Sequence, residues 1–164
     1  MKVLLVGVPG AGKTTISKLL NGVDTDDVIA KDYNKSLAKY IENNCTSVED
    51  FILKEGEVVR DVLRTSDSKL ISSGGSIVHD PKTIEYIKEN NICVIWLHIE
   101  DLSRGSNENE RGVVYPKGIN NRRELINYRI PLYASIARYF IRTDIENIEQ
   151  TIERVKNIID ELDK

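Results

Sequence analysis

The alternation of strand and helix patterns along this sequence predicts an α/β fold with a parallel sheet of five strands. The apolar run Val3–Val6 is typical of a strand that is buried on both faces. This run leads into a glycine-rich loop and then a helix, and strand and helix patterns alternate from there to the end of the chain. A length of 164 residues suits one domain, so we expect residues 1–164 to form a single unit.

The loop after the first strand carries the clearest functional signal. Gly7, Gly12, Lys13 and Thr14 match G-x-x-x-x-G-K-[ST], a pattern in which backbone N–H groups and a helix start surround a phosphate. Lysine reaches the β/γ-phosphates in such loops, and the hydroxyl binds Mg²⁺. A plain glycine-rich turn is the alternative. We predict nucleotide binding by Gly10, Ala11, Gly12, Lys13, Thr14 and Thr15.

The second strand ends in an acidic segment, Val23-Asp24-Thr25-Asp26-Asp27. A solvated turn explains such a segment equally well when it stands alone. In an α/β sheet, however, ligands bind outside the carboxyl ends of the strands. Asp24 and Asp26 are therefore predicted to face the metal ion and the phosphates. Residues 32–44, which follow, are polar with a weak helical pattern, and they indicate no function.

A long amphipathic helix is predicted to begin at the capping box Thr46–Glu49. Arg60 falls at the edge of its apolar stripe, where it either extends to solvent or serves a site. The next predicted strand, Lys69–Ser73, ends in Gly74 and Gly75. Paired glycines there admit a ligand or another backbone, although a plain turn is equally consistent.

Asp80 and Pro81 are predicted to begin a short helix, and Ile92–Ile99 is an interior strand. Residues 104–118 are polar and lack periodicity, which fits either disorder or a mobile active-site lid carrying Arg104 and Arg111.

A further helix is expected from about Asn121, with a kink or break at Pro131 just after Arg129. Tyr139–Arg142 is predicted as the last strand, and Asp144 as the cap of the final helix.

Composition excludes some functional classes. A net charge of −3 gives no general attraction to nucleic acid, so anionic ligands would need a local group of cations. Cys45 and Cys93 lack metal-ligand spacing and are expected to be reduced, which favours a cytoplasmic location. No apolar segment has membrane-spanning length and no signal peptide is evident. We expect a monomer that binds neither nucleic acid nor membranes.

Taken together, these motifs resemble the shikimate kinase family of P-loop small-molecule kinases. The phosphate loop, Asp24-Thr25-Asp26 and Gly74-Gly75 resemble the family's phosphate loop, Asp-Thr-Asp motif and glycine triplet. Gly56–Arg60 resembles Gly-Glu-x-x-Phe-Arg, and Arg129–Tyr133 resembles Arg-x-Pro-Leu-Tyr. The resemblance implies a three-layer α/β/α fold with a mobile lid, and ATP-dependent phosphorylation of the 3-hydroxyl of shikimate in aromatic amino-acid biosynthesis.

Roles for individual residues follow from the resemblance. Lys13 and Arg111 would stabilise the transferred phosphate, Asp26 would bind and orient the hydroxyl, and Arg104 would pack on adenine. Thr14 and Asp24 would hold Mg²⁺. The substrate would be bound by Asp26, Arg60, Gly74, Gly75 and Arg129, with the two arginines on its carboxylate.

Three departures from the family pattern bear on the substrate. Leu63 stands where the family has a glutamate, one helical turn after the carboxylate-binding arginine, and Ser76 replaces the third glycine. The interval between Asp26 and Arg60 is longer than usual by roughly ten residues. A kinase of gluconate, a nucleotide or another hydroxylated metabolite, and an ATP-binding protein without turnover, are therefore alternatives. His79 and His98 are expected to carry no chemistry.

Overall fold

The computed structural model describes residues 1–33, 36–101 and 113–164, which form a parallel sheet flanked by helices. The strands follow the order β2-β3-β1-β4-β5, and every neighbouring pair is parallel. The predicted α/β fold with five parallel strands is confirmed. The strands are β1 (Val3–Val6), β2 (Val23–Asp24), β3 (Leu70–Ser72), β4 (Cys93–His98) and β5 (Tyr139–Arg142).

Helices connect these strands, and a 3₁₀ turn over Gly75–His79 follows β3. Side chains cap several helix starts: Ser47, Asn121 and Asn147 each accept a hydrogen bond from a first-turn N–H. The helices are α1 (Lys13–Leu19), α2 (Thr25–Tyr33), α3 (Leu37–Asn44), α4 (Val48–Thr65), α5 (Pro81–Glu89), α6 (Arg122–Ile136) and α7 (Ile148–Leu162).

The centre of the sheet is β1, whose four residues have no exposed surface. It lies between β3 and β4, so the phosphate loop leaves the sheet at its middle. Gly7, the first loop residue, has φ +148°, and a Cβ there would collide with the carbonyl oxygen of Leu97. Glycine is therefore required both for the backbone angle and for the close approach of β4.

The acidic segment after β2 is not a solvated turn, because α2 begins at Thr25 directly after the strand. Residues 37–44, where the sequence has a weak helical pattern, form α3. Ile29, Leu37, Tyr40, Phe51 and Val114 form a second apolar cluster beside the main core. This tertiary packing stabilises helices whose own sequence pattern is weak.

Two local predictions need correction. The helix does not break at Pro131 but continues through it, from Arg122 to Ile136. The final helix is capped by Asn147 in a capping box with Gln150, not by Asp144. Asp144 instead accepts hydrogen bonds from the backbone N–H groups of Glu100 and Asp101 and pairs with Arg142. Four residues, 143–146, therefore lie between the end of β5 and the helix cap.

Within the described ranges, no helix combines the length and the apolar character needed to cross a membrane.

Candidate active site

A cavity of about 410 Å³ lies at the carboxyl ends of β1, β2 and β3. Parallel strands place their carboxyl ends at one edge of the sheet, so residues distant in sequence meet there. Eight of the predicted site residues line it together: Lys13, Thr14, Thr15, Asp24, Asp26, Gly74, Gly75 and, from α6, Arg129.

At the phosphate-loop end, the side chains are held by short hydrogen bonds. Lys13 Nζ donates to the carbonyl oxygens of Gly7 and Val8, at 2.5 and 3.1 Å. The ammonium group is thereby fixed across the loop whose N–H groups would surround a phosphate. The Thr14 hydroxyl donates to Asp24 Oδ2 at 2.6 Å.

Thr14 and Asp24 have the chemistry of a small Mg²⁺ site. Magnesium prefers oxygen ligands and keeps several of its waters, so a hydroxyl and a carboxylate side by side suit it. Among the residues with described positions, no cluster of three or more His, Cys, Asp or Glu side chains could hold a metal by itself. A metal that arrives with a phosphate ligand fits this donor set better than an all-protein metal site.

Asp26 occupies the middle of the cavity. Its Oδ1 is buried and accepts no hydrogen bond from any residue that the structure describes. Burial, and then the neighbouring Glu55 and Asp24 carboxylates, raise its pKa well above the usual value. The side chain is therefore ready to accept a hydrogen bond from a ligand hydroxyl, and it holds a proton more readily than a surface aspartate.

Glu55 was not singled out from the sequence, yet it lies in this cavity. It is 1% exposed, and its Oε1 accepts a hydrogen bond from the Ser76 hydroxyl at 2.6 Å. A Cβ on Gly74 would collide with Glu55 Oε2 and lie 3.1 Å from Asp26 Oδ1, so both carboxyls flank that glycine. Burial raises the pKa of Glu55 to about 7. The signal that could have revealed Glu55 is a glutamate inside the apolar stripe of α4.

Replacing Glu55 by glutamine is expected to stabilise the protein at alkaline pH. The folded-state pKa of about 7 lies above the ordinary value of 4.5, so folding favours the protonated carboxyl. That contribution is fully present below pH 4.5 and is lost as the pH rises through 7. Glutamine stays neutral and still accepts from Ser76, so it should add about 3 kcal/mol at pH 8 and little at pH 4.

Urea unfolding of the wild type and Glu55→Gln at both pH values measures this difference. Glu57→Gln, on the same helix, is the matched control and should change stability little at either pH. A Glu55→Gln variant no more stable than the wild type at pH 8 would contradict the raised pKa of the buried Glu55.

Arg129 is 1% exposed, and it is the one arginine among the described residues that line the cavity. A Cβ on Gly75 would lie 2.6 Å from its Nη1 and 3.0 Å from the Tyr133 hydroxyl. Gly75 therefore leaves the space that the guanidinium occupies. The Tyr133 hydroxyl donates to the Gly75 carbonyl at 2.9 Å, which fixes this turn against α6.

Arg60 does not reach the cavity, contrary to its prediction as a substrate-binding residue. Its Nη1 donates to Asp80 Oδ2 at 2.5 Å and to the Thr83 hydroxyl at 2.7 Å. The Asp80 side chain has no exposed surface, so this ion pair joins α4 to the start of α5. Asp80 therefore occupies the guanidinium of Arg60 in a structural ion pair.

The geometry of α4 explains the difference. Residues of an α-helix are about 100° apart, so Glu55 and Arg60 point about 140° away from each other. Leu63 is 3% exposed and packs in the main core, so its position does not border the cavity. If Glu55 takes the place of the glutamate expected at position 63, the arginine three residues before it corresponds to Ile52. That eight-residue shift also removes most of the long interval after Asp26.

Arg60→Ala is expected to lower stability, because it leaves the buried Asp80 carboxylate without its cation. Removing one partner of a buried ion pair costs about 3 kcal/mol. Arg64→Ala is the control, since Arg64 pairs with Asp61 at the surface, where both side chains are more than 60% exposed. That change should cost less than about 1 kcal/mol. Equal urea midpoints for the two variants would contradict the buried pair.

A smaller cavity of about 240 Å³ lies on the other side of the phosphate loop. The Thr143 hydroxyl donates to the Ala11 carbonyl at 2.8 Å, which ties the turn after β5 to the loop. Three further predicted residues, Gly10, Ala11 and Gly12, line this cavity together with Thr143 and Asn147 from the turn. Arg104 and Arg111 lie outside the described residues, so their predicted roles stay predictions.

Comparison with known proteins gives a consistent result. The shikimate kinase family model matches residues 9–160 of this chain. The shikimate kinase of Corynebacterium glutamicum is 29% identical over 163 residues, which cover 93% of each chain. The shikimate kinase of Streptococcus gordonii is 29% identical over 171 residues, covering 95% of this chain and 99% of the relative.

Solved structures show the same fold. A shikimate kinase from Acinetobacter baumannii in complex with shikimate has a TM-score of 0.75 at 24% identity, covering 96% of this chain and 92% of the other. A shikimate kinase from Bacteroides thetaiotaomicron has a TM-score of 0.69 at 20% identity, covering 98% of both chains. With the family match extending over most of its length, this chain belongs to the shikimate kinase family.

Proposed function

We propose that this chain transfers the γ-phosphoryl group of ATP to the 3-hydroxyl of shikimate, giving shikimate 3-phosphate and ADP. The observation that carries the proposal is the single cavity that joins the phosphate loop to Asp26 and Arg129 in a member of this family. The Acinetobacter baumannii relative was solved with shikimate bound, which supports the choice of acceptor.

Asp26 is proposed to bind the acceptor hydroxyl. Its unpaired Oδ1 would accept the hydroxyl hydrogen and orient the oxygen toward the γ-phosphorus. As the new P–O bond forms and the bond to ADP breaks, the hydroxyl proton moves to Asp26. The raised pKa of this carboxyl makes it a better proton acceptor than an ordinary aspartate.

Arg129 is proposed to bind the carboxylate of shikimate. A planar guanidinium donates two parallel hydrogen bonds to a carboxylate, and burial strengthens them. Its Nη1 lies beside Gly75, so backbone N–H groups of Gly74 and Gly75 would border the same ligand. Arg60 has no part in this proposal because its guanidinium pairs with Asp80.

The phosphate loop is proposed to hold ATP. Lys13 and the loop N–H groups would bind the β/γ-phosphates, and the cavity beside Thr143 would border the nucleoside. Thr14 and Asp24 would hold Mg²⁺, which neutralises charge on the phosphates when bound. Phosphoryl transfer depends mainly on such positioning and charge stabilisation.

Other predictions are carried forward as parts of the proposal. Residues 1–164 would form one kinase domain that acts as a monomer in the cytoplasm, with Arg104 against adenine and Arg111 at the phosphates. A single main core that packs against both faces of the sheet supports the single domain. Sedimentation analysis with and without ATP tests the monomer, and a stable dimer would overturn it.

A panel of acceptors tests the proposed reaction. ADP release from Mg·ATP is measured with shikimate, gluconate or a nucleoside monophosphate, and the product is identified by ³¹P NMR. A strong preference for shikimate and a new phosphate monoester are expected. A preference for another acceptor would make the protein a different metabolite kinase. ATP binding without ADP from any acceptor would identify a binding protein without turnover.

A further inference from the structure

His79 contacts the buried arginine of the active site. The Nε–H of Arg129 donates to His79 Nε2 at 3.0 Å. A guanidinium has donors only, so this imidazole nitrogen must carry the lone pair and the ring must be neutral, with its proton on Nδ1. The two side chains come from separate elements, the end of the 3₁₀ turn and the middle of α6.

We propose that His79 is a positioning residue for Arg129: its neutral ring accepts the Nε–H and directs the remaining guanidinium donors toward the cavity. The inference rests on the proposed function, because it takes Arg129 to bind the carboxylate of shikimate. His79 itself is not among the residues that line the active-site cavity, so it acts through Arg129.

Both sides of the pair are held in place. The Tyr128 ring stacks on the His79 ring, with centroids 5.5 Å apart and an interplanar angle of 26°. At the other end of the guanidinium, Nη1 occupies the space beside Gly75. Fixing a long side chain before the ligand arrives reduces the conformational entropy lost on binding.

A neutral acceptor has an electrostatic advantage over a carboxylate at this position. A carboxylate on Nε would cancel the positive charge that an anionic ligand needs, whereas an imidazole orients the group without cancelling it. Burial, and then the Arg129 charge, lower the pKa of His79 to about 4, so the ring stays neutral near pH 7. His79 therefore orients Arg129 without reducing its positive charge.

The chain depends on this arrangement because the carboxylate site has a single arginine within the described residues. If Glu55 takes the place of the family's glutamate, the position of the other arginine is Ile52, which lines a neighbouring cavity together with His79. Arg60, the nearest alternative on α4, is paired with Asp80. The orientation of Arg129 therefore decides how well the carboxylate is held.

Two substitutions of His79 test the proposal by steady-state kinetics. His79→Leu removes the acceptor, and the KM for shikimate should rise about tenfold or more with little change in kcat or in the KM for ATP. His79→Gln places an amide oxygen near the same point and should restore most of the affinity. Tyr128→Leu is the control for lost packing and should have a smaller effect than His79→Leu.

Two kinetic outcomes would overturn the proposal. One is a KM for shikimate in His79→Leu that stays within about twofold of the wild type. The other is a His79→Gln variant as impaired as His79→Leu, which would indicate that the ring only fills space. Thermal unfolding followed by circular dichroism checks that each variant is folded.

A separate readout distinguishes failure of this inference from failure of the proposed function. If the wild type shows no turnover with shikimate, the proposed function fails, and the pair is then tested by ¹⁵N NMR of the arginine Nε–H groups. Slow solvent exchange of the Arg129 Nε–H is expected in the wild type and His79→Gln, and fast exchange in His79→Leu. Equal exchange in all three would overturn the positioning role.

Discussion

Lys13→Ala is expected to abolish nearly all phosphoryl transfer while leaving the protein folded. The Lys13 ammonium is held over the phosphate loop by the carbonyls of Gly7 and Val8, where the β/γ-phosphates would lie. Because phosphoryl transfer relies on charge stabilisation, loss of this cation should lower kcat by about 10³-fold or more, equivalent to about 4 kcal/mol.

ADP release at saturating shikimate measures the effect. Lys18→Ala is the matched control: Lys18 belongs to the same helix, is 63% exposed and pairs with the equally exposed Asp27. That variant should keep its activity within about twofold, since surface ion pairs contribute little. Substantial transfer by Lys13→Ala would mean that the chemistry takes place away from the phosphate loop.

Arg129→Ala is expected to weaken shikimate binding far more than ATP binding. Arg129 is the buried guanidinium that borders Gly75 in the cavity. Removing it would leave the substrate carboxylate without its cation, so the KM for shikimate should rise about 10²-fold or more. The KM for ATP should change less, because Lys13 and the phosphate loop, which would bind the phosphates, are left intact.

Arg60→Ala is the comparison for Arg129→Ala, because each substitution removes one positive charge. It should lower stability, as derived above, and leave the KM for shikimate within about twofold, because Arg60 is bound to Asp80 outside the cavity. The reverse result, with a larger effect on shikimate from Arg60→Ala than from Arg129→Ala, would contradict the placement of the substrate carboxylate.

Sequence patterns predicted those parts of the site whose geometry is local. The phosphate loop could be identified because glycine, lysine and threonine must occur at fixed offsets between a strand and a helix. Positions at strand ends predicted four more site residues, because parallel strands bring those ends together: Asp24, Asp26, Gly74 and Gly75. The structure places all four in the cavity lining, although their roles are still proposals.

The side chains supplied by helices were harder to predict. A shift of five residues along α4 changes direction by about 140°, so a motif aligned one or two turns away selects the wrong face. Gly56–Arg60 resembled the family motif and led to Arg60, while Glu55 faced the cavity. The apolar stripe of α4 indicates that Glu55 is buried, but its neighbours Ser76 and Gly74 come from the segment after β3, which no pattern in α4 indicates.

The place of residues 32–44 in the fold could not be predicted for a different reason. Helix α3 packs in a cluster with Phe51 and Val114, and both are distant from it in sequence. The helix start at Asn147 was assigned to Asp144 because both are good cap residues. Only the tertiary structure shows that Asp144 binds the backbone N–H groups of residues 100 and 101.

The central claim is that Asp26 binds the acceptor hydroxyl in a shikimate-phosphorylating site. The most direct test is ADP release from Mg·ATP with and without shikimate, for the wild type beside Asp26→Asn. We predict shikimate-dependent turnover in the wild type and a loss of about 10²-fold or more in the variant, because asparagine cannot accept the proton. ADP release that is independent of shikimate, or equal in the two proteins, would contradict the account.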